Sequence, residues 1–460
     1  LRPCSDARLK QAAEGYAICD GEVNDASDEP LYFTFMRVAE IIFHAITPED
    51  AYEEILVPRH GPRATFEHIS GNQKWVFKRW HKRLDKEFPW HAFGIASMRN
   101  LNSVQPPELV EPENEDPVRV VFVPKTLKTP RVIAVEPVCM MYAQQALCRW
   151  LVGRLETCRF TAGHVNFRDQ SVNQAIALDA SGTGKFATLD MSEASDRVSL
   201  AHVSDMLQAL PRFREIVMAC RSTRAKLPNG EVLSLRKFAS MGSALCFPME
   251  SMIFYTLIIA SRIYRAGVSP NAHTVYSFGR DVYVYGDDLI VPVHEASAIC
   301  NDLESFGYKV NRHKSFWTGK FRESCGMDCY DNERVTPVYM RRDLPSDRAD
   351  SSGVVSCVAT ANQLFLAGYT QTASAIQKHL HKTCGNLPQV PRDTPAIGWV
   401  FHSEEVPRLR WNIDLQRREY LCWVAVPRRA PDPLDGDPAL AKCFRIIGSD
   451  AVDLEHLESS

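Results

Sequence analysis

Residues 282–293 read VYVYGDDLIVPV. Two β-branched, apolar runs meet at Gly286, Asp287 and Asp288, and the pattern predicts strand, tight turn, strand. Val282, Val284, Leu289, Val291 and Val293 would be buried, and Gly286 can take the positive φ a two-residue turn requires. Adjacent aspartates at such a tip repel one another unless cations offset the charge. Two Mg²⁺ ions roughly 3.5–4 Å apart would do so and would also serve phosphoryl transfer, one activating a 3′-hydroxyl and the other holding a triphosphate. Gly-Asp-Asp by itself also fits an ordinary surface hairpin. A second acidic segment, TLDMSEASD at 188–196, removes that ambiguity. There Asp190 ends an apolar strand, KFATLD, and would complete the metal set with Asp287 and Asp288, while Asp196 follows six residues on.

Working outward, residues 138–155, 198–210, 246–265 and 295–306 have helical character, and 321–340 suggest short strands. The order strand, helix, helix, hairpin, helix between 185 and 306 suits a compact α/β sheet domain. VRVVFVPKTLKTPRVIAVEP, residues 118–137, predicts a β-hairpin with Lys125, Lys128 and Arg131 at its turn. The preceding QPPELVEPENEDP, 105–117, reads as an exposed loop or linker. KWVFKRWHKRLDK, 74–86, alternates cations with Trp75, Phe77 and Trp80. It fits an RNA contact through Lys74, Lys78 and Arg79, or an amphipathic helix burying its aromatics. No internal repeat is visible, and the acidic tail, Asp432 to Ser460, suggests no role beyond solubility.

The chain has 460 residues, 45% hydrophobic and 24% charged, an ordinary globular mixture long enough for two or three domains. A net charge of −3 argues against a simple electrostatic wrap around nucleic acid, although a basic channel inside a neutral shell remains compatible with it. The fourteen cysteines are scattered. No Cys-x-x-Cys pair is followed by a second pair or by spaced histidines, so no structural zinc site is expected. Cys325 and Cys329 read as free thiols suited to a reducing cytosol. No stretch reaches the roughly 18 apolar residues of a membrane span, and no signal peptide is visible. The chain opens on Leu1 rather than methionine, so it reads as a fragment or a processed product.

These segments resemble the polymerases of positive-strand RNA viruses, and specifically the replicase subunit of the RNA bacteriophages, the leviviruses. The resemblance runs from about Val123 to Met340. PKTLKTPRVIAVEP is similar to motif F, which implies that Lys125, Lys128 and Arg131 line the path of the nucleotide triphosphate. HVNFRDQSVNQAIA, 164–177, resembles a family segment ahead of the palm. LDMSEASDRVS is similar to motif A, SMGSALCFPMES at 240–251 to motif B, and YGDD to motif C. GYKVNRHKSF and FRESCG, within 307–326, look like motifs D and E of the phage group. The implied fold is α/β (α+β), a right hand of fingers, palm and thumb whose palm is an antiparallel sheet flanked by helices. Residues 1–137 would be fingers, with their N-terminal part expected to be incomplete, 138–335 palm with inserted fingers elements, and 336–460 thumb and tail. The implied activity is RNA-dependent RNA synthesis with two Mg²⁺ ions, for which Mn²⁺ can substitute, held by Asp190, Asp287 and Asp288.

The resemblance assigns further roles residue by residue. Asp196 and Ser240 would hydrogen-bond the ribose 2′-hydroxyl and so reject deoxynucleotides. Gly242 would let the backbone approach template or nucleotide. Lys314, ahead of Lys309, would protonate the pyrophosphate leaving group, and Arg322 would contact RNA backbone or primer, or equally form a structural ion pair. Family members work in the bacterial cytoplasm with host elongation factors Tu and Ts and a ribosomal RNA-binding protein, and with no membrane. Two other readings are a reverse transcriptase, against which Asp196 and FRESCG argue, and a non-catalytic RNA-binding subunit of a replicase.

Overall fold

The computed structural model describes residues 4–25, 30–46, 56–62, 64–125, 129–392, 394–400, 409–420, 422–426 and 431–447. They fall into two compact units, residues 336–431 and the remainder of the chain.

The larger unit opens with helices α1 (Asp6–Gly21) and α2 (Pro30–Ile46). In α2, Leu31, Phe35, Val38, Ile42 and Ile46 recur at helical spacing and are all buried. Each contributes about 2 kcal/mol of burial. The segment 74–86 is no amphipathic helix. It passes from a 3₁₀ turn through the strand Arg79–His81 into one turn of helix, with Trp75, Phe77 and Trp80 buried.

Strands β1 (Val118–Pro124) and β2 (Pro130–Val135) pair antiparallel from Arg119↔Val135 to Pro124↔Pro130, the hairpin expected from the sequence. Helix α3 (Val138–Thr157) follows, then α4 (Ser171–Thr183) and strand β3 (Phe186–Ser192). Short strands β4 (Arg224–Lys226) and β5 (Val232–Ser234) join the first hairpin in a sheet of order β2-β1-β4-β5.

Helix α5 (Cys246–Arg265) is buried along almost its whole length. By length and composition it could cross a membrane, an exception to the sequence reading, but it packs inside the fold and against α2. Beyond it, β6 (Tyr283–Tyr285), β7 (Asp288–Pro292) and β8 (Lys309–Val310) complete a four-stranded antiparallel sheet of order β8-β3-β7-β6. Its strands bury Ala187, Leu189, Val284, Leu289 and Val291 in the main core. Strands β9 (Phe321–Ser324), β10 (Met327–Tyr330) and β11 (Glu333–Arg334) form a separate antiparallel sheet, and α4 packs on it.

In the unit 336–431, helices α6 (Ser351–Leu366) and α7 (Thr370–Cys384) pack as a pair. Its core holds Val354, Cys357, Val358, Ala361, Ile376 and Leu380. The Asp350 side chain caps α6 by accepting from the Gly353 N–H at 2.9 Å.

Residues 432–447, to which the sequence assigned no structural role, belong to the larger unit. Helix α8 (Gly436–Ile447) packs on the 3₁₀ turn at 71–75. The Asp437 carboxylate accepts from the Ala96 N–H at 3.1 Å and from Asn100 Nδ2 at 2.6 Å.

Between β2 and α3 lies the buried carboxyl of Glu136, which accepts from Ser222 Oγ at 2.5 Å. Burial pushes it up to about 7, with Ser222 and Arg221 pulling the other way. The folded state therefore holds this proton at pH values where the unfolded chain has lost it. That contribution is complete below the ordinary carboxylate range and is lost as pH rises through about 7. Glu136→Gln is expected to remove about 3 kcal/mol of this pH-dependent loss. Urea melts at pH 5 and pH 8.5 check it: parallel falls in wild type and variant would refute the assignment.

Candidate active site

The register of three strands builds the acidic centre. β3 and β7 run antiparallel from Phe186↔Pro292 to Asp190↔Asp288, which puts these two aspartates opposite one another. β7 pairs with β6 at Tyr285↔Asp288, leaving Gly286 and Asp287 as the two-residue turn. Gly286 has φ +64°, and a Cβ there would fall 2.1 Å from the Phe247 ring. Its N–H donates to Ser251 Oγ at 3.2 Å, so the turn is seated on the start of α5. Asp287 is exposed, whereas Asp190 and Asp288 are half-buried.

Two neighbours hold Asp190, one by its carboxylate and one by its backbone. Asn311 Nδ2 donates to Asp190 Oδ2 at 2.8 Å, and the Asp190 N–H donates to Ser315 Oγ at 3.1 Å. Burial pushes Asp288 up to about 7, and the charges of Asp287 and Asp190 add to that effect. Asp190 is raised by burial and by Asp287, while Lys314, Asn311 and Lys125 pull it back. Burial, with the charges of Asp287 and Asp196 adding to it, raises the Glu250 carboxyl on α5 well above the ordinary carboxylate range.

Among the described residues, no three acidic, histidine or cysteine side chains already stand together as an ion cage. The structure supplies two facing carboxylates and a third on the adjoining turn. These are hard oxygen donors whose mutual repulsion a divalent cation would relieve, so the donor set fits Mg²⁺.

The charges of Lys314 and Lys125 reach this centre. Lys314 is exposed, and its charge acts on both Asp190 and Glu323. Lys309 is exposed on β8 opposite Ser192. Lys125 and Arg131 are exposed on the β1–β2 hairpin. Lys128 lies outside the described residues.

Other expected site residues have different surroundings. Arg322 is fully buried on β9 and donates to the carbonyls of Phe186 at 2.7 Å, Gly319 at 3.0 Å and Phe321 at 2.7 Å. Its guanidinium ties β9 to β3, which corrects the expectation of an RNA contact. Lys74 is buried with its amine on the Gly61 carbonyl at 2.7 Å, and Arg79 pairs with Asp116 and Glu108. Both are corrected to structural roles: the Lys74 charge is spent inside the fold, and that of Arg79 is taken up by ion pairs at the surface. Lys78 is exposed.

Asp196 is bound through one oxygen by Lys237 Nζ at 3.1 Å. Ser240 is buried, with its hydroxyl 2.8 Å from that of Tyr16. Gly242, with φ +134°, brings its backbone against Ala134 of β2: a Cβ would lie 1.9 Å from the Ala134 carbonyl oxygen. Sequence reasoning missed Asn311, Ser315, Ser251, Lys237 and Tyr16. Asn311 and Ser315 lie inside the quoted 307–316 segment and were legible as polar residues just past an apolar strand. Nothing local marked Tyr16.

Residues 103–349 match the family described as RNA replicase, beta-chain. The RNA-directed RNA polymerase subunit beta of Escherichia virus Qbeta is 35% identical over 232 residues, 50% of this chain and 36% of that protein. The RNA-directed RNA polymerase beta chain of Escherichia phage MS2 is 33% identical over 223 residues, 48% of this chain and 37% of that protein. The match thus takes in little more than a third of the length of these curated relatives. Among solved structures, the RNA-dependent RNA polymerase of a human picobirnavirus aligns with a TM-score of 0.40 at 11% identity, over 58% of this chain and 55% of that one.

Proposed function

Because the chain belongs to the RNA replicase beta-chain family, we propose that it joins ribonucleoside triphosphates to an RNA 3′ end on an RNA template. The observation that carries this reading is the register placing Asp190 opposite Asp288, with Asp287 on the turn between β6 and β7. In this reading the three carboxylates would hold two Mg²⁺ ions. The bound metal would lower the pKa of the 3′-hydroxyl and neutralise charge on the triphosphate.

The protein's own groups do the rest. Asn311 orients the Asp190 carboxylate, Ser315 anchors its backbone N–H, and Ser251 fixes the turn, so the donor set is arranged before substrate arrives. Lys125, whose charge already reaches Asp190, and the exposed Arg131 attract the triphosphate along the β1–β2 hairpin. Lys314, close enough for its charge to act on Asp190, gives its proton to the departing pyrophosphate. Asp196 accepts a hydrogen bond from the ribose 2′-hydroxyl. Residues 138–335 act as palm with inserted fingers elements, the preceding residues as fingers, and the unit 336–431 as thumb. The place of action is the cytoplasm of a bacterial host. Elongation factors Tu and Ts and a ribosomal RNA-binding protein are the partners that family membership suggests.

Incorporation of labelled ribonucleotides by the purified chain tests the reading, with and without those host proteins. Template-dependent product that disappears on chelation of Mg²⁺ is expected. RNA binding without synthesis under either condition would replace the polymerase reading with that of a non-catalytic subunit.

A further inference from the structure

One face of α1 bolts together two segments that lie far apart in sequence. Tyr16, Cys19 and Asp20 share that face by their helical spacing, and all three are buried. The Asp20 carboxylate accepts from the backbone N–H of Arg236 at 3.1 Å and of Lys237 at 3.1 Å. Cys19 Sγ lies 3.5 Å from the Asp196 carbonyl oxygen. The Tyr16 hydroxyl lies 2.8 Å from Ser240 Oγ.

Lys237 fills the space between them. Its side chain is 0% exposed, its Nζ donates to Asp196 Oδ1 at 3.1 Å, and the same nitrogen stands 3.5 Å from the centroid of the Tyr16 ring. An ammonium taken wholly out of water is costly unless it is paired. Here a carboxylate and an aromatic face share it. Burial, and then the Asp196 charge, hold the proton on the Tyr16 phenol. The Asp196 side chain is 18% exposed. Asp196 can therefore be reached from outside while the groups behind it cannot.

We infer that Lys237 and Tyr16 are positioning residues for ribose selection, acting through Asp196 and Ser240. By taking Oδ1, Lys237 leaves Oδ2 of Asp196 to accept the 2′-hydroxyl and keeps the carboxylate from rotating. Tyr16 holds the Ser240 hydroxyl in one rotamer and supports the ammonium from below. Helix α1 thus reaches the sugar through two relays without touching it. The inference rests on the polymerase reading above and on Asp196 as the ribose contact.

The test compares kcat/KM for ATP and 2′-dATP in the full chain. Tyr16→Phe removes one oxygen, keeps the ring beneath the ammonium and is expected to fold. It is expected to lower the ribo-over-deoxy preference about fivefold, mostly through a higher KM for ATP. Lys237→Met is expected to lower it about 30-fold or more, with partial recovery in Lys237→Arg. If Lys237→Met fails to fold, Tyr16→Phe and Lys237→Arg decide the matter. Equal losses with both nucleotides would make the cluster a brace only and overturn the inference. Incorporation with an unchanged preference would overturn it too, leaving the polymerase reading intact. No incorporation by the wild-type chain would overturn both.

Discussion

Asp288→Asn is expected to reduce templated nucleotide incorporation by about 1000-fold, the equivalent of the ~4 kcal/mol lost with one preorganised charge-stabilising group. Asp190→Asn should do the same, since the two residues are partners in register across β3 and β7. The fold should survive. Without metal, Asp288 is a half-buried carboxylate crowded by Asp287 and Asp190, which raise its pKa together with burial. An amide of the same shape removes that repulsion, so the metal-free variant should melt no lower than wild type. Mg²⁺ should raise the melting temperature of wild type and not of Asp288→Asn, because binding stabilises only the form that has the site. Near-wild-type incorporation by Asp288→Asn would refute the metal assignment. A melting temperature well below wild type without metal would mean that the aspartate is structural.

What the sequence made legible was local. The alternation of 282–293, its glycine and the two flanking apolar runs specify a hairpin without help from elsewhere. The structure gives β6, a two-residue turn and β7 within those bounds. The strand that carries Asp190, although it runs on to Ser192 rather than ending on the aspartate, and the helix at 246–265 were readable for the same reason. The pairing Asp190↔Asp288 was anticipated only as a neighbouring strand, since register between segments about a hundred residues apart depends on which faces are buried in the assembled core.

Charged residues were read less well, because sequence does not say which cations are spent. Lys74, Arg79 and Arg322 look like solvent-facing cations in the string of letters. In the fold their donors are taken by the Gly61 carbonyl, by Asp116 and Glu108, and by three carbonyls around β9. Lys237 is the converse case. It stands beside Arg236 in the mixed string SLRKFAS, where nothing marks it as buried, and its partners Tyr16 and Asp196 arrive from 221 and 41 positions away. The tail from Asp432 looked like a solubility device because its acids suggested surface. Asp437 instead accepts two hydrogen bonds that dock α8.

Gly242→Ala is expected to cost about 4 kcal/mol of stability in the larger unit and to lower incorporation at least ~100-fold. Two effects add. The residue sits at φ +134°, a conformation open to glycine and strained for alanine. The new Cβ would also lie 1.9 Å from the Ala134 carbonyl oxygen and 2.9 Å from its carbonyl carbon. Both obstacles are backbone, so no side chain can rotate away. The strand β2 and the loop 240–243 must then separate, which breaks the Ala134 N–H bond to the Met241 carbonyl at 2.8 Å. That motion shifts the hairpin bearing Lys125 and Arg131 relative to Ser240, so the effect reaches the site as well as the core. Gly230→Ala is the control. It also has a positive φ, +92°, but nothing lies within 4 Å of an added Cβ. It should lose only the conformational term, about 1–2 kcal/mol, and keep its activity. Denaturant midpoints at unchanged slope separate the two variants. If both fall together, strain at φ is the whole effect and the close approach to Ala134 is dispensable. If Gly242→Ala falls further and loses incorporation, the contact between β2 and the 240–243 loop is what holds the β1–β2 hairpin in the arrangement that incorporation needs.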